Sequence, residues 1–312
     1  MNTSPTGAPV PARQAAHLVA ARALGWLHRN RSLGALPPDT TAELADPDSV
    51  YKPLGESALA ASLVLREGMA SVADQRAARD MMDFAWTQLG SGDLLYERQL
   101  RYPLITDPLE VYAYFARVGY RHQRLDTLLD HLGSLTAHRG TEMLPNRRLA
   151  VANAARVAGV PRQVDWGELI DATWLGRAPE PWMIDWLTAY CMTHSVFNAT
   201  DWGARADELP PVARDYLTDW LPVWMDIWLE TQEWDLVGEL IIVDACLPRP
   251  SCEPEVWERF AAAQHPDGLM PRNGEPVDED PAKAFRDHHH TVVVASVAGT
   301  LALSRYHDAA AV

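Results

Sequence analysis

Apolar residues recur at spacings of three and four along nearly the whole chain, and short clusters of Pro, Gly, Asp and Asn interrupt the pattern. That period belongs to amphipathic helices. An alternating pattern of strand length is missing except at Thr291 to Val297, whose β-branched residues suit a strand by propensity. The Ala298-Gly299-Thr300-Leu301-Ala302-Leu303 continuation makes this segment a buried helix instead. The expectation is an all-α protein with about twelve helices, near 13–29, 54–68, 74–90, 108–118, 123–136, 147–158, 166–175, 181–197, 211–230, 234–247, 253–264 and 289–306. Several starts carry local signals, since Pro53, Asp107-Pro108 and Glu180-Pro181 place proline or acids in a first turn.

Twelve helices joined by short connections can pair as six hairpins closed into a ring, an (α/α)6 toroid. Every second helix then lies inside, all inner helices run parallel, and their N-terminal ends gather on one rim. That rim would collect Glu56, Asp107 or Glu110, Asn146 and Arg147, Asp185, Glu239, and His289 or His290. An ordinary multihelical bundle also fits the periodicity.

A chain of 312 residues with 47% hydrophobic content can bury a large core, and no internal linker asks for a second domain. Residues 1–12, rich in Pro, Thr, Ser and Gly, are expected to form a disordered tail ahead of a single domain over 13–312. A net charge of -15 argues against a nucleic-acid or anionic-membrane partner, because both contacts rely on Lys and Arg. No apolar run is long enough to span a bilayer, and no h-region follows a basic start. Cys191, Cys246 and Cys252 are too few and too irregular for a disulfide framework, so a cytoplasmic protein is expected.

The residues best suited to chemistry fall in two stretches. Trp186, Tyr190 and His194 recur every four residues and form one helical stripe ending near Asn198 and Asp201. An imidazole with an aromatic wall and a nearby carboxylate can be tuned as an acid or base, although histidine is often interior without being catalytic. Glu239 has apolar neighbours, and a buried carboxylate has a raised pKa unless it is paired. In His288-His289-His290, adjacent positions on a helix point about 100° apart, so the three cannot converge on one ion. His290 is expected to face inward, with Asp287 capping the helix start and His288 outside. Trp220, Trp224 and Trp228 also recur every four residues, around Pro222. Indoles stack on sugars and hydrocarbons, but such a stripe is more often core.

The pattern of Gln264, Asp267-Gly268 and then His290-Thr291 leading into an apolar helix resembles a repeat of the terpenoid cyclase and protein prenyltransferase superfamily. The resemblance implies an α/α toroid and a terpenoid-cyclase-like reaction. Within it, Asp244-Ala245-Cys246 followed by His290-Thr291 is similar to the Asp, Cys, His zinc set of protein prenyltransferase β subunits. Here Asp244 and Cys246 close one expected helix and His290 opens another, so no cofactor and no tightly held zinc are expected. A single divalent metal at His290 is the less favoured reading.

These observations lead to the expectation of an α/α-toroid enzyme that tailors a small or peptide-like substrate in specialised metabolism by acid-base catalysis in a central cavity. The expected catalytic residues are His194, Glu239, Asp201, His290 and Asp185, with Glu56, Trp186, Tyr190, Trp224 and His289 contacting the substrate. A glycoside hydrolase or lyase is the first alternative, since twelve tryptophans suit sugar stacking. A binding or scaffold protein is the second, and it requires a filled cavity whose polar groups all pair internally.

Overall fold

A computed structural model describes residues 10–43 and 50–311 of the chain. Among these residues it is all-helical, with fourteen α-helices, five short 3-10 turns and no strand. The helices are α1 Val10–Asn30, α2 Lys52–Glu67, α3 Val72–Gln88, α4 Asp93–Arg101, α5 Asp107–Arg117, α6 Gln123–Ser134 and α7 Thr136–Arg139. They continue with α8 Pro145–Ala158, α9 Trp166–Asp171, α10 Trp186–Ala199, α11 Pro211–Glu230, α12 Trp234–Cys246, α13 Pro254–Ala263 and α14 Pro281–Ala311. The tail expected over 1–12 lies outside the described residues as far as residue 9, and α1 begins at Val10.

Local chemistry explains most of the boundaries. Proline sits in the first two positions of α2, α5, α8, α11 and α13, where its missing N–H costs no intrahelical bond. Asp185 caps α10 by accepting from the Thr188 amide at 2.7 Å. Gly68 and Gly159 end α2 and α8 in the left-handed conformation. Three boundaries differ from the sequence expectation. The helix expected near 289–306 begins at Pro281, so Asp287 lies inside it rather than capping it. The helix expected near 181–197 is a 3-10 turn at Pro181–Met183 followed by α10. The amphipathic α4 was not expected at all.

Six helices contact one another in a closed cycle: α2 on α5, α5 on α8, α8 on α10, α10 on α12, α12 on α14, and α14 back on α2. They correspond to the second, fourth, sixth, eighth, tenth and twelfth of the helices expected from the sequence. Paired contacts show α10, α12 and α14 running the same way. Thr291 reaches Asp235 at the start of α12, and Arg305 reaches the Leu247 carbonyl at its end. Tyr190 and Thr193 likewise meet Asp235 and Glu239 in order. The remaining longer helices pack outside this cycle, with α1 lying along α14 and against α3 and α13.

The core is one cluster of buried apolar side chains running through both layers. Every residue of α12 is buried, as befits a helix with neighbours on all sides. Gly238 and Gly299 allow two of the closest approaches. A Cβ at Gly238 would stand 2.6 Å from Val294 Cγ1, and one at Gly299 would stand 2.5 Å from the Ala16 carbonyl oxygen. Among the described residues no helix is long and apolar enough to cross a membrane.

Candidate active site

Residues of all six cyclically packed helices surround a cavity of about 750 Å³: the first turns of α2, α5 and α8, the C-terminal half of α10, and the middle of α12 and α14. Lys52, Glu56, Asp107, Glu110, Arg147, His194, Glu239 and His290 contribute its polar wall. Further along the helices the wall turns apolar, with Leu59, Phe197, Trp202, Ile242 and three valines of α14.

At the centre of the polar wall is His290. Its Nδ1 lies 2.7 Å from Glu56 Oε1, and its Nε2 lies 3.7 Å from Glu239 Oε1 and 3.9 Å from Asp235 Oδ2. Burial disfavours the charged imidazole, but Glu56, Asp235 and Glu239 outweigh it, and the His290 pKa stands well above the ordinary histidine value. Burial also opposes ionisation of Glu56, yet His290 and His289 hold its pKa well below the usual carboxylate range. His290 is therefore an imidazolium clamped to an ionised Glu56 at neutral pH.

The surrounding hydroxyls fix the carboxylates. Tyr190 donates to Asp235 Oδ2, Thr291 donates to Asp235 Oδ1 at 2.9 Å, and Thr193 donates to Glu239 Oε2. Burial and the neighbouring Asp235 and Glu239 carboxylates push the Tyr190 pKa upward, so its proton stays in the Asp235 hydrogen bond. Glu239 Oε1 is left facing the cavity, with His290 Nε2 at 3.7 Å and His194 Nε2 at 4.0 Å. The Glu239 side chain is only 1% exposed, so an acceptor without a close hydrogen bond is costly there unless a ligand or water meets it.

His194 is oriented by its own helix. Its Nδ1 lies 2.7 Å from the Tyr190 carbonyl oxygen, which can only accept, so Nδ1 carries a proton. In the neutral ring the lone pair then sits on Nε2, the atom near Glu239. The Trp186, Tyr190, His194 stripe is real: the first two rings pack edge to face at 4.6 Å, and the second pair stacks at 6.2 Å.

The structure thus brings Glu56, His194, Glu239 and His290 to one cavity, with His289 behind them. His289 bonds Ser57 Oγ at 3.0 Å and approaches Glu56 at 3.4 Å. Tyr190 stands behind the same carboxylates through its bond to Asp235. Other expected site residues lie elsewhere. Asp185 is fully exposed and occupied in capping α10. Asp201 is held by Arg117 at 2.6 Å and Arg66 at 3.8 Å rather than orienting His194. Trp224 is 1% exposed, packs on Trp174 and Tyr216, and donates to the Pro181 carbonyl, so it is core. Trp186 is exposed beyond Tyr190, outside the cavity wall. His288, expected outside, is buried and accepts the Arg272 amide at 3.1 Å.

Sequence reasoning missed Asp235 and Trp202. An acid in the first turn of a helix reads as an ordinary dipole partner, and nothing local distinguishes Asp235 from that. The Asp244, Cys246, His290 set does not assemble. Asp244 accepts the amides of Ser251 and Cys252, and Arg305 reaches the end of the same helix, fifteen positions along α14 from His290. Among the described residues no group of three or more His, Cys, Asp or Glu is arranged to hold a metal ion.

The fold and cavity define an all-helical protein with a polar, partly apolar-lined central pocket. Residues 20–300 match the family described as a domain of unknown function, DUF6895, and the chain belongs to that family. No curated protein and no solved structure gave a significant match.

Proposed function

We propose that the cavity is the active site of an α/α-toroid enzyme that performs paired acid-base catalysis on a small or peptide-like molecule, in a reaction of lyase or cyclase type. The closed cycle of six helices supports the toroid reading and, through it, the resemblance to terpenoid cyclases and prenyltransferases. Three thiols free of disulfide bonds suit a reducing, cytoplasmic compartment.

One observation carries the catalytic reading: Glu239 Oε1 stands within 4.0 Å of the Nε2 atoms of both His194 and His290. The two imidazoles are held for opposite tasks. His194 presents a lone pair and takes a proton from the substrate. His290, kept charged by Glu56, gives its Nε2 proton to the leaving group or to the other end of the rearranging bond. The substrate loses one proton and gains one. Glu239 then relays a proton from His194 to His290 and restores the starting state. The glycosidase alternative loses its carrier, because Trp202 is the one tryptophan in the cavity wall among the described residues.

The test is incubation of the purified protein with a metabolite extract, followed by mass spectrometry. Wild type should deplete a discrete feature and produce another. Glu239→Gln and His194→Ala should do neither while melting near the wild-type temperature. Consumption by both variants at the wild-type rate would overturn the assignment.

A further inference from the structure

The chain turns sharply after α10 in a way that non-glycine residues seldom adopt. Asp201 and Trp202 have φ of 47° and 53°, followed by Gly203 at 80°. Several polar contacts hold this left-handed run in place. Arg66 donates to the Asp201 carbonyl at 2.8 Å and the Trp202 carbonyl at 2.7 Å. Arg117 and Asn153 bind the Asp201 carboxylate at 2.6 and 3.3 Å, and the Trp202 amide returns to the Phe197 carbonyl at 2.8 Å. Strained backbone persists only where its surroundings over-determine it, and such places cluster at ligand-contacting sites.

The turn delivers the Trp202 indole into the cavity wall. There it stacks on the buried Phe197 ring, with centroids 4.5 Å apart and planes 20° from parallel. The apolar part of the same cavity wall includes four β-branched side chains, Ile242, Val293, Val294 and Val297. β-Branched side chains are stiff, so this end of the cavity cannot easily widen or reshape. An aromatic stack bounded by a stiff wall favours a flat group lying against the indole.

We infer that Trp202 is the specificity-determining floor of the cavity and that the substrate carries a planar aromatic or conjugated apolar group, seated on Trp202 with its reacting end toward His194 and His290. Arg66 and Arg117 are positioning residues, acting through the Asp201 turn. This inference rests on the proposal that the cavity is the catalytic site. It concerns binding, so inert probes test it separately from turnover.

The experiment compares benzyl alcohol with cyclohexylmethanol, a flat and a saturated ring of the same skeleton, by ligand-observed nuclear magnetic resonance titration. Wild type should bind benzyl alcohol about fivefold more tightly, a ratio typical of one aromatic stacking contact. Trp202→Leu should erase the preference, and Trp202→Phe should retain most of it. If Trp202→Leu does not fold, fluorotryptophan labelling replaces it. The fluorine resonance assigned to Trp202 by its loss in Trp202→Phe should then shift on adding benzyl alcohol. Equal affinities for the two alcohols, a preference that survives in folded Trp202→Leu, or an unmoved Trp202 resonance would overturn the inference. An intact preference with no turnover of any metabolite would remove the catalytic reading alone, whereas turnover without the preference would remove this inference alone.

Discussion

At its N-terminal end α12 carries Asp235 and Glu239, and near its C-terminal end it carries Asp244, all three buried. Asp244 is enclosed by the chain that follows it, both oxygens accepting backbone amides from Ser251 and Cys252. Burial still pushes its pKa up to about 6, against the opposing pull of those amides. Glu239 has one oxygen satisfied by Thr193 and the other turned to an open cavity between two imidazoles. At one end of the helix both carboxylate oxygens are bonded to the following backbone, and at the other, one oxygen has no imidazole nitrogen closer than 3.7 Å. Burial alone therefore does not distinguish the two carboxylates; what differs is whether the protein completes their hydrogen bonds.

The largest expected effect lies at the open end. His194→Ala and Glu239→Gln should each lower turnover of the consumed metabolite by at least about a hundredfold, the usual contribution of a positioned acid or base. Asp244→Asn should leave that rate unchanged. An equal loss in all three variants, tracking loss of folded protein, would erase the contrast between the two ends.

His290→Ala comes next, read by chemical denaturation. Removing the cation leaves Glu56, Asp235 and Glu239 without their shared partner. Breaking a fully buried pair costs about 3–5 kcal/mol, and partial exposure of His290 reduces the expected loss to about 2–3 kcal/mol. The raised His290 pKa gives stability that is complete below the unfolded value of 6.5 and is lost as pH rises through the folded value. The lowered Glu56 pKa gives stability that is complete above 4.5 and is lost as pH falls through its depressed value. The gap between wild type and the Glu56→Gln, His290→Ala double variant should therefore be widest between pH 4.5 and 6.5. A gap that widens toward alkaline pH would show that the pair is not held as described.

Asp244 should behave in the opposite sense to Glu56. Its raised pKa favours folding at low pH, and that contribution fades from 3.8 upward until about 6. Melting curves of Asp244→Asn should accordingly improve relative to wild type as pH rises over that interval. A relative stability that does not change with pH would contradict the enclosure of this group. The smallest effects separate hydroxyl from amide support. Thr193→Val should cost about 1 kcal/mol by removing a donor to Glu239. Ser251→Ala keeps the amide that serves Asp244 and should stay within about 0.5 kcal/mol in the same denaturation measurement.

The all-helical fold is legible in the sequence, because helical period and proline starts are local signals, but the contrast between Asp244 and Glu239 is not, since nothing local shows which carboxylate the following chain will bond. Those signals place Glu56, Glu110, Arg147, Glu239 and His290 on one rim, and all five line the cavity, whereas Asp185, expected there too, caps α10 and His194 stands two turns further along the same helix. The failures have local causes too. The charged stretch Asp278 to Asp287 conceals a helix start at Pro281, which displaced the expected cap onto Asp287 and turned His288 outward. Helix α4 follows Gly90-Ser91-Gly92, and the glycines mask the nine-residue amphipathic pattern behind them. Trp224 is singled out and Trp202 passed over because a four-residue stripe of indoles is visible in sequence, whereas a left-handed turn fixed by Arg66 and Arg117 is made by residues remote along the chain.

The bond between Glu56 and His290 joins positions 234 apart in the chain. In synthesis order, α14 is the last of the six encircling helices, and it supplies both the closing contact with α2 and one of the two imidazoles. An emerging polypeptide that has folded its first five inner helices holds an open arc with Glu56 lacking its cation. Joining such distant segments carries an entropic cost and slows folding relative to helical proteins of local topology. The protein therefore completes its pocket, its charge balance and the imidazolium of His290 only with α14, so a chain stalled before that helix would be incomplete in all three respects at once.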